Sequence, residues 1–251
     1  SWGRISEHFD ALFTTDHSIN KLKETILQLA VMGKLVPQDP SDEPANVLLK
    51  KIAVERERLI KAGEIKKTKN ISSEDLTDFT NFLPKNWSCC QFANLTCLMF
   101  TGLERSKALQ SDNKAYYYLK MNNIKNAGGL DLRQLTKVDA TVEEVDKYKL
   151  VDGDFLFNTR NSHELVGKTA VFKGSQTELL FNNNVLKAQF ILVSPYFIDF
   201  WFRSVSGKAL LEELKSNTTN VSAIYQKGLN CISCPIPPLS EQHRIVTKVD
   251  E

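Results

Sequence analysis

No stretch of the sequence approaches the roughly 18 consecutive apolar residues that a membrane-spanning helix needs. Cysteine is scarce: there are five in 251 residues, an odd number that does not make a disulfide framework. Asn-x-Ser/Thr triplets such as Asn217-Thr218-Thr219 therefore carry little weight as glycosylation sites. Histidine is rarer still, and His8, His17, His163 and His243 show no metal-ligand spacing. Cys231-Ile-Ser-Cys234 has the spacing of half a zinc site, but Cys89, Cys90 and Cys97 supply no second Cys-x-x-Cys. They read instead as small core residues of strands. There is no Gly-x-Gly-x-x-Gly, no P-loop and no Gly-x-Ser-x-Gly elbow. One nuclease-like pattern exists. Asp199 with Glu213-Leu-Lys215 supplies the acid and Glu-x-Lys elements that hold a divalent ion and polarise water. All three fall on a predicted helix over 195–215, whereas a metal site needs such groups to converge from strands. The pattern reads as a solvated helix face, with a metal-dependent nuclease as the alternative.

What remains is an ordinary globular composition, 42% hydrophobic and 25% charged, in a length that suits one large domain or two modest ones. A cytoplasmic protein without a membrane partner is the expectation. The net charge of +2 implies no partner by itself. Its distribution is uneven: residues 50–69 hold eight Lys/Arg against three Glu, and residues 85–238 hold eighteen against fourteen acids. This mild positive bias suits nucleic acid and equally a solvated surface.

Three parts follow along the chain. Ile19, Leu22, Ile26 and Leu29 have the spacing of a packed seam, predicting a helix over 19–33 with Ser18 as N-cap and Gly33 as its end. The proline- and acid-rich turn 37–44 leads to a second predicted helix, 44–62, which Pro44 starts and Gly63 stops. Two such helices cannot bury their stripes alone. Residues 64–82 read as a linker, closing an N-terminal helical region of 1–82. A second domain, 83–238, has short strands at 116–121, 155–158, 168–172 and 185–193, a tight turn at Gly128-Gly129, and the 195–215 helix. In the third part, 239–251, Ser240 caps a helix carrying Ile245, Val246 and Val249. The chain stops with this helix three turns old, so a piece of a longer protein is expected. The expected fold class is α+β: a mixed α/β domain with flanking helices that form a coiled-coil-like arm.

The stretch Pro-Ile-Pro-Pro-Leu-Ser-Glu-Gln-His-Arg-Ile-Val, residues 235–246, resembles the element that closes each target-recognition domain in DNA-specificity subunits of type I restriction-modification enzymes. Leu83-Pro84 with Trp87 and Leu95 resembles the start of such a domain. Gly153-Asp154-Phe155-Leu156-Phe157-Asn158-Thr159-Arg160-Asn161-Ser162 followed by Leu165-Val166-Gly167-Lys168 is similar to its mid-domain motif. Gly33-Lys34-Leu35-Val36-Pro37-Gln38-Asp39 also resembles the family. The resemblance implies a non-catalytic subunit that reads one half of a split double-stranded DNA target. It also implies docking of methyltransferase (M) and restriction-motor (R) subunits. S-adenosylmethionine, ATP and magnesium then belong to those partners, and no cofactor to this chain.

Base-reading groups are expected on loops held by a scaffold. Four loops qualify: 101–107 with Arg105 and Lys107; 120–125 with Lys120, Asn122 and Asn123; 159–168 with Arg160, Asn161, Ser162 and Lys168; and 218–225 with Thr218, Asn220 and Tyr225. Lys107, Lys120 and Lys168 are the expected phosphate contacts. Asn182-Asn183-Asn184 reads more weakly, as a turn. Leu22, Ile26, Leu29, Ile245 and Val249 are the expected partner-binding residues, serving either self-association or a methyltransferase subunit.

Overall fold

The computed structural model describes residues 14–65, 83–174, 178–217 and 221–250. Helix α1 (Asp16–Val31) starts one turn earlier than its apolar periodicity indicates. Thr15 is the N-cap: its Oγ1 accepts from the Ser18 amide at 3.1 Å, and Ser18 Oγ accepts from the Thr15 amide at 3.2 Å. Ser18 is thus the third helical residue of a capping box rather than the cap. The chain leaves the helix through Gly33 at φ +66, a conformation that favours glycine. Pro44 precedes α2 (Ala45–Lys61), whose first amide, Ala45 N–H, donates to Asn86 O at 2.9 Å. Most of the predicted linker, 66–82, lies outside the described residues.

The elements that follow are β1 (Ser88–Gln91), α3 (Phe92–Leu95), β2 (Thr96–Thr101), β3 (Tyr116–Leu119), β4 (Thr136–Val138), α4 (Val142–Tyr148), β5 (Phe155–Asn158), β6 (Arg160–Asn161) and β7 (Thr169–Val171). Then come β8 (Leu179–Phe181), β9 (Val185–Phe190), α5 (Pro195–Arg203), α6 (Val205–Leu214), β10 (Ser216–Asn217), β11 (Ser222–Ala223), α7 (Gln226–Cys231), β12 (Ser233–Ile236) and α8 (Leu239–Asp250). An antiparallel sheet of order β2-β9-β5-β7 forms the centre. A second sheet, β4-β3-β8, pairs β3 with β8 in parallel and with β4 antiparallel. Two small ribbons, β1-β12 and β10-β11-β6, complete the pairing. The Gly128-Gly129 turn forms as expected, with Lys125 N–H donating to Gly129 O at 3.0 Å.

Strand β5 explains why alternation is weak in the sequence. Phe155 and Phe157 enter one apolar cluster and Leu156 another, so both faces are buried and its first three positions are all apolar. Phe92 stacks edge-on to Phe202 at 5.4 Å and to Phe190 at 5.7 Å, and Phe155 meets Phe190 at 5.6 Å. Beneath the sheet, Asp154 and Lys187 form an almost fully buried ion pair at 3.3 Å. Val151 N–H and Gln189 Nε2 also donate to Asp154, and the lysine lies over the Phe100 and Phe181 rings. Burial of these charges is tolerable because each is paired and hydrogen-bonded.

Two expectations are corrected. The 195–215 segment is two helices, because Ser204 breaks it. Its hydroxyl donates to Trp201 O at 2.7 Å and accepts from Gly207 N–H at 3.1 Å, capping α6. A Cβ at Gly207 would lie 2.0 Å from Trp201 O, so the break requires glycine. The flanking helices, moreover, do not stand clear of the domain. Leu27, Ala30, Val31, Ala45, Leu48, Ile52 and Ile245 share one core with Trp87, Phe92, Phe197 and Trp201. Ile245, expected at a partner interface, is fully buried there. Val249 packs partly against the same core. Leu22, Ile26 and Leu29 are half-buried and lie outside the apolar clusters of the described residues.

Candidate nucleic-acid interface

The site is built where β2, β5 and β8 end together. Gly102 follows β2, and a Cβ there would come 2.1 Å from Phe181 O, so only glycine lets the chain pass this close to β8. Leu103 N–H donates to Phe181 O at 2.8 Å, and Asn183 N–H donates to Leu103 O at 3.1 Å. Tyr118 is buried, and its hydroxyl donates to Leu103 O at 2.5 Å while accepting from Asn182 Nδ2 at 3.1 Å. Asn182 Oδ1 accepts from the Asn184 amide at 2.7 Å. The Asn182–Asn184 run is therefore the knot of the site, more than the simple turn its composition implies.

Three other segments tie into that knot. Asn184 O accepts from the Thr159 amide at 2.9 Å, from Thr159 Oγ1 at 3.0 Å and from Asn158 Nδ2 at 3.1 Å. Ile224 N–H donates to Thr159 O at 2.9 Å, and β6 pairs with β11, Arg160 opposite Ala223. Loops distant in sequence thus enclose one cleft of about 530 Å³, lined by Glu104, Arg160, Asn183, Asn184, Tyr225 and Gln226 among others. The Arg160 side chain is exposed and makes no hydrogen bond or ion pair among the described residues, Glu164 included, while its backbone carbonyl accepts from Asn158 Nδ2 at 3.0 Å. Tyr225 is 60% exposed at the rim.

The other expected residues divide sharply. Lys107, Asn122 and Ser162 are exposed. Lys120 is half-buried and donates to Gln110 Oε1 at 3.1 Å. Asn161 is half-buried, its amide donating to Asn158 Oδ1 at 3.0 Å and its carbonyl accepting from Ser162 N–H. Thr218 and Asn220 lie outside the described residues. Three residues serve the fold instead of an outer contact. Asn123, 4% exposed, accepts from Lys120 N–H and donates to Asp131 O and Gln134 O, closing the Gly128-Gly129 loop. Arg105 is held by Glu144 Oε2 at 2.5 Å and by Asp139 O and Glu104 O. Lys168 donates to Met121 O at 2.9 Å and Ile124 O at 2.6 Å, and burial lowers its pKa. It joins two of the loops rather than reaching outward.

The nuclease pattern dissolves in three dimensions. Asp199 is 4% exposed, accepts from Thr169 Oγ1 at 2.7 Å and pairs with Arg203 at 2.8 Å. Lys215 bonds His163 O and Glu212, while Glu213 is exposed on α6. Among the described residues no group of three or more His, Cys, Asp or Glu side chains is placed to hold a metal. The cysteines fare no better as ligands: burial pushes the Cys89 thiol up to about 11 and Cys90 to about 12, and Cys234 is buried completely.

Residues 235–246 have a structural role that their sequence does not disclose. Glu241, 1% exposed, accepts from Trp87 Nε1 at 2.9 Å and from Gln38 Nε2. Gln242, fully buried, accepts from Ser194 N–H at 2.9 Å and donates to Pro237 O at 3.0 Å. Arg244 pairs with Asp42. The Gly33–Asp39 segment, the start of the domain and α8 are clamped together by this short run. Helix α8 starts at Leu239, so Ser240 lies inside its first turn instead of capping it.

The cleft is polar, lies at a sheet end and holds an arginine side chain with no partner among the described residues, the make-up of a surface that recognises a polar ligand. The family model described as "Type I restriction modification DNA specificity domain" matches residues 93–251, and the chain belongs to that family. Along its whole length it is 35% identical to the type I restriction enzyme EcoAI specificity subunit of Escherichia coli, of which it covers 42%. It is 31% identical to the EcoEI specificity subunit, also of Escherichia coli, covering 43% of that protein. The chain thus spans less than half the length of these relatives. One solved structure, described as "Structural basis underlying complex assembly and conformational transition of the type I R-M system", shares the fold with a TM-score of 0.52 at 16% identity, over 82% of this chain and 46% of the other.

Proposed function

We propose that this chain reads one half of a bipartite double-stranded DNA target as part of the specificity component of a type I restriction-modification enzyme, with no catalysis of its own. The observation that carries this is the cleft where the 101–107, 159–168 and 182–184 segments meet Tyr225, with Arg160 uncommitted inside it. A rigid hydrogen-bonded frame holds the groups that would reach base edges, and Lys107 is exposed for contact with the DNA backbone. Membership of the family supports methyltransferase and restriction subunits as partners. S-adenosylmethionine, ATP and magnesium would be bound by those subunits. The half-buried stripe of Leu22, Ile26 and Leu29 is the surface we assign to docking, on a methyltransferase subunit or a second copy. The cytoplasm, where host DNA lies, is the compartment that fits.

Arg160→Ala in the complete enzyme tests the reading. Arginine contacts guanine O6 and N7, so its loss is expected to cost about 1–3 kcal/mol and to relax one position of one half-site. Methylated-base mapping of DNA from cells carrying the variant shows this directly, with the other half-site unchanged. The melting temperature is expected to stay at the parent value, because the side chain has no partner to lose. An unaltered recognition sequence removes Arg160 as a base reader.

A further inference from the structure

The cleft contains a charge of the wrong sign for a DNA-binding surface. Glu104 is exposed, lines the same cleft as Arg160, and makes no side-chain hydrogen bond or ion pair among the described residues. Its neighbour Arg105 is committed to Glu144 and to backbone carbonyls. Arg160 does not pair with it either. The backbone beneath it is held on every side. Leu103 is fixed by Phe181 O, Asn183 N–H and the Tyr118 hydroxyl, Glu104 O accepts from Arg105, and Arg105 O accepts from Gln110 at 3.0 Å. A carboxylate carried on so firmly held a backbone, with no partner among the described residues, repels the phosphates of a duplex. It is compatible with binding only where it meets a hydrogen-bond donor on a base edge. In the major groove guanine presents two acceptors, thymine an acceptor, and adenine a donor beside an acceptor. Cytosine alone carries a donor, N4, and no acceptor of its own on its major-groove edge.

We propose that Glu104 is a specificity-determining residue that selects cytosine in the half-site read by this chain. The inference rests on the reading of the chain as a DNA-recognition module. Glu104 accepts from cytosine N4 and rejects the other three bases by placing its charge against their acceptors, so that discrimination comes from repulsion as much as from attraction. The neighbouring cation, Arg160, suits guanine, so a half-site with a C·G pair at this cleft satisfies both charges.

The test uses the complete enzyme and methylated-base mapping, with Glu104→Gln, Glu104→Ala, Arg160→Ala and Tyr225→Ala compared with the parent. Glutamine contacts adenine N6 and N7. Glu104→Gln is therefore expected to turn one cytosine position toward adenine, with preference for cytosine falling at least about tenfold. Glu104→Ala is expected to make the same position degenerate. Both are expected to keep the parent melting temperature and to bind a synthetic duplex lacking the motif more tightly than the parent, since a repulsive charge is gone. The inference is overturned if neither variant alters any position, or if the position altered is not a cytosine in the parent. Should Arg160→Ala shift a base preference while both Glu104 variants leave the motif intact, only the role of Glu104 falls. Should all four variants melt normally and leave the motif intact, the cleft is not the DNA-reading surface and the proposed function falls with it.

Discussion

A carboxylate at 1% exposure, as at Glu241, is costly unless its oxygens are hydrogen-bonded. Trp87 and Gln38 supply those bonds, yet burial still dominates and holds the Glu241 carboxyl above its ordinary value of 4.5. The folded chain therefore binds this proton more readily than the unfolded chain. The contribution to stability is fully present below about 4.5 and is lost as pH rises through the raised folded value. Glu241→Gln is expected to flatten the pH dependence of unfolding above 4.5, read from urea midpoints at a series of pH values. A profile parallel to the parent's would show that Glu241 does not set it. The same scale shows why residue type alone misleads. Asn123, Arg105 and Lys168 are of the types that read bases and phosphates, and those same donors are what a fold uses to hold backbone carbonyls. Only their neighbours decide between the two uses, and Asp131, Glu144, Met121 and Ile124 do so here.

At the scale of elements, α1 has two apolar faces where its spacing points to one. Leu22, Ile26 and Leu29 form the seam legible in the sequence, but Leu27, Ala30 and Val31 are the residues seated in the core. Leu27→Ala is expected to cost about 2–5 kcal/mol through lost burial and the cavity left behind, measured by denaturant unfolding. A loss within a few tenths of a kcal/mol of zero would mean that α1 is not integral to the domain. Helix α5 likewise presents aromatic residues nearly all round, with Phe197, Ile198, Phe200, Trp201 and Phe202 all buried. That is the pattern of a helix enclosed by other elements. The sheet covers one side of it and α1 and α8 the other, so the helices assigned to a separate arm are part of the domain's own wall.

At the scale of the molecule, the formal charge of +2 is too small to hold DNA by net attraction. In the proposed function, binding would come from a few placed cations. The isolated chain is expected to bind duplex DNA weakly, with little selectivity, and with an affinity that falls linearly in the logarithm of salt concentration at a slope of about −0.9 per phosphate contact. Fluorescence anisotropy on a labelled duplex across a salt series measures both. Tight, sequence-selective binding at physiological salt would contradict the half-target reading, in which the second half is read elsewhere.

By itself the sequence determined the α+β class, the strands β3, β5, β7 and β9, the family, and that Arg160 follows a strand. Each rests on local information: spacing of apolar residues, turn glycines, capping side chains and short motifs that contain their own geometry. It did not determine which polar side chains face outward. Nor did it disclose that Glu241 and Gln242 clamp distant segments, that Asn182–Asn184 tie the cleft together, or that the Glu104 side chain has no partner there among the described residues. Those outcomes depend on partners brought close from far along the chain, such as Gln38 with Glu241, Thr159 with Asn184 and Arg105 with Glu144. Whether a charged or amide group is spent on the fold or left for a ligand depends on which donors and acceptors packing brings within about 3 Å. Tertiary structure alone settles that, because the hydrogen bond is short-ranged and the chain separations it spans here are long.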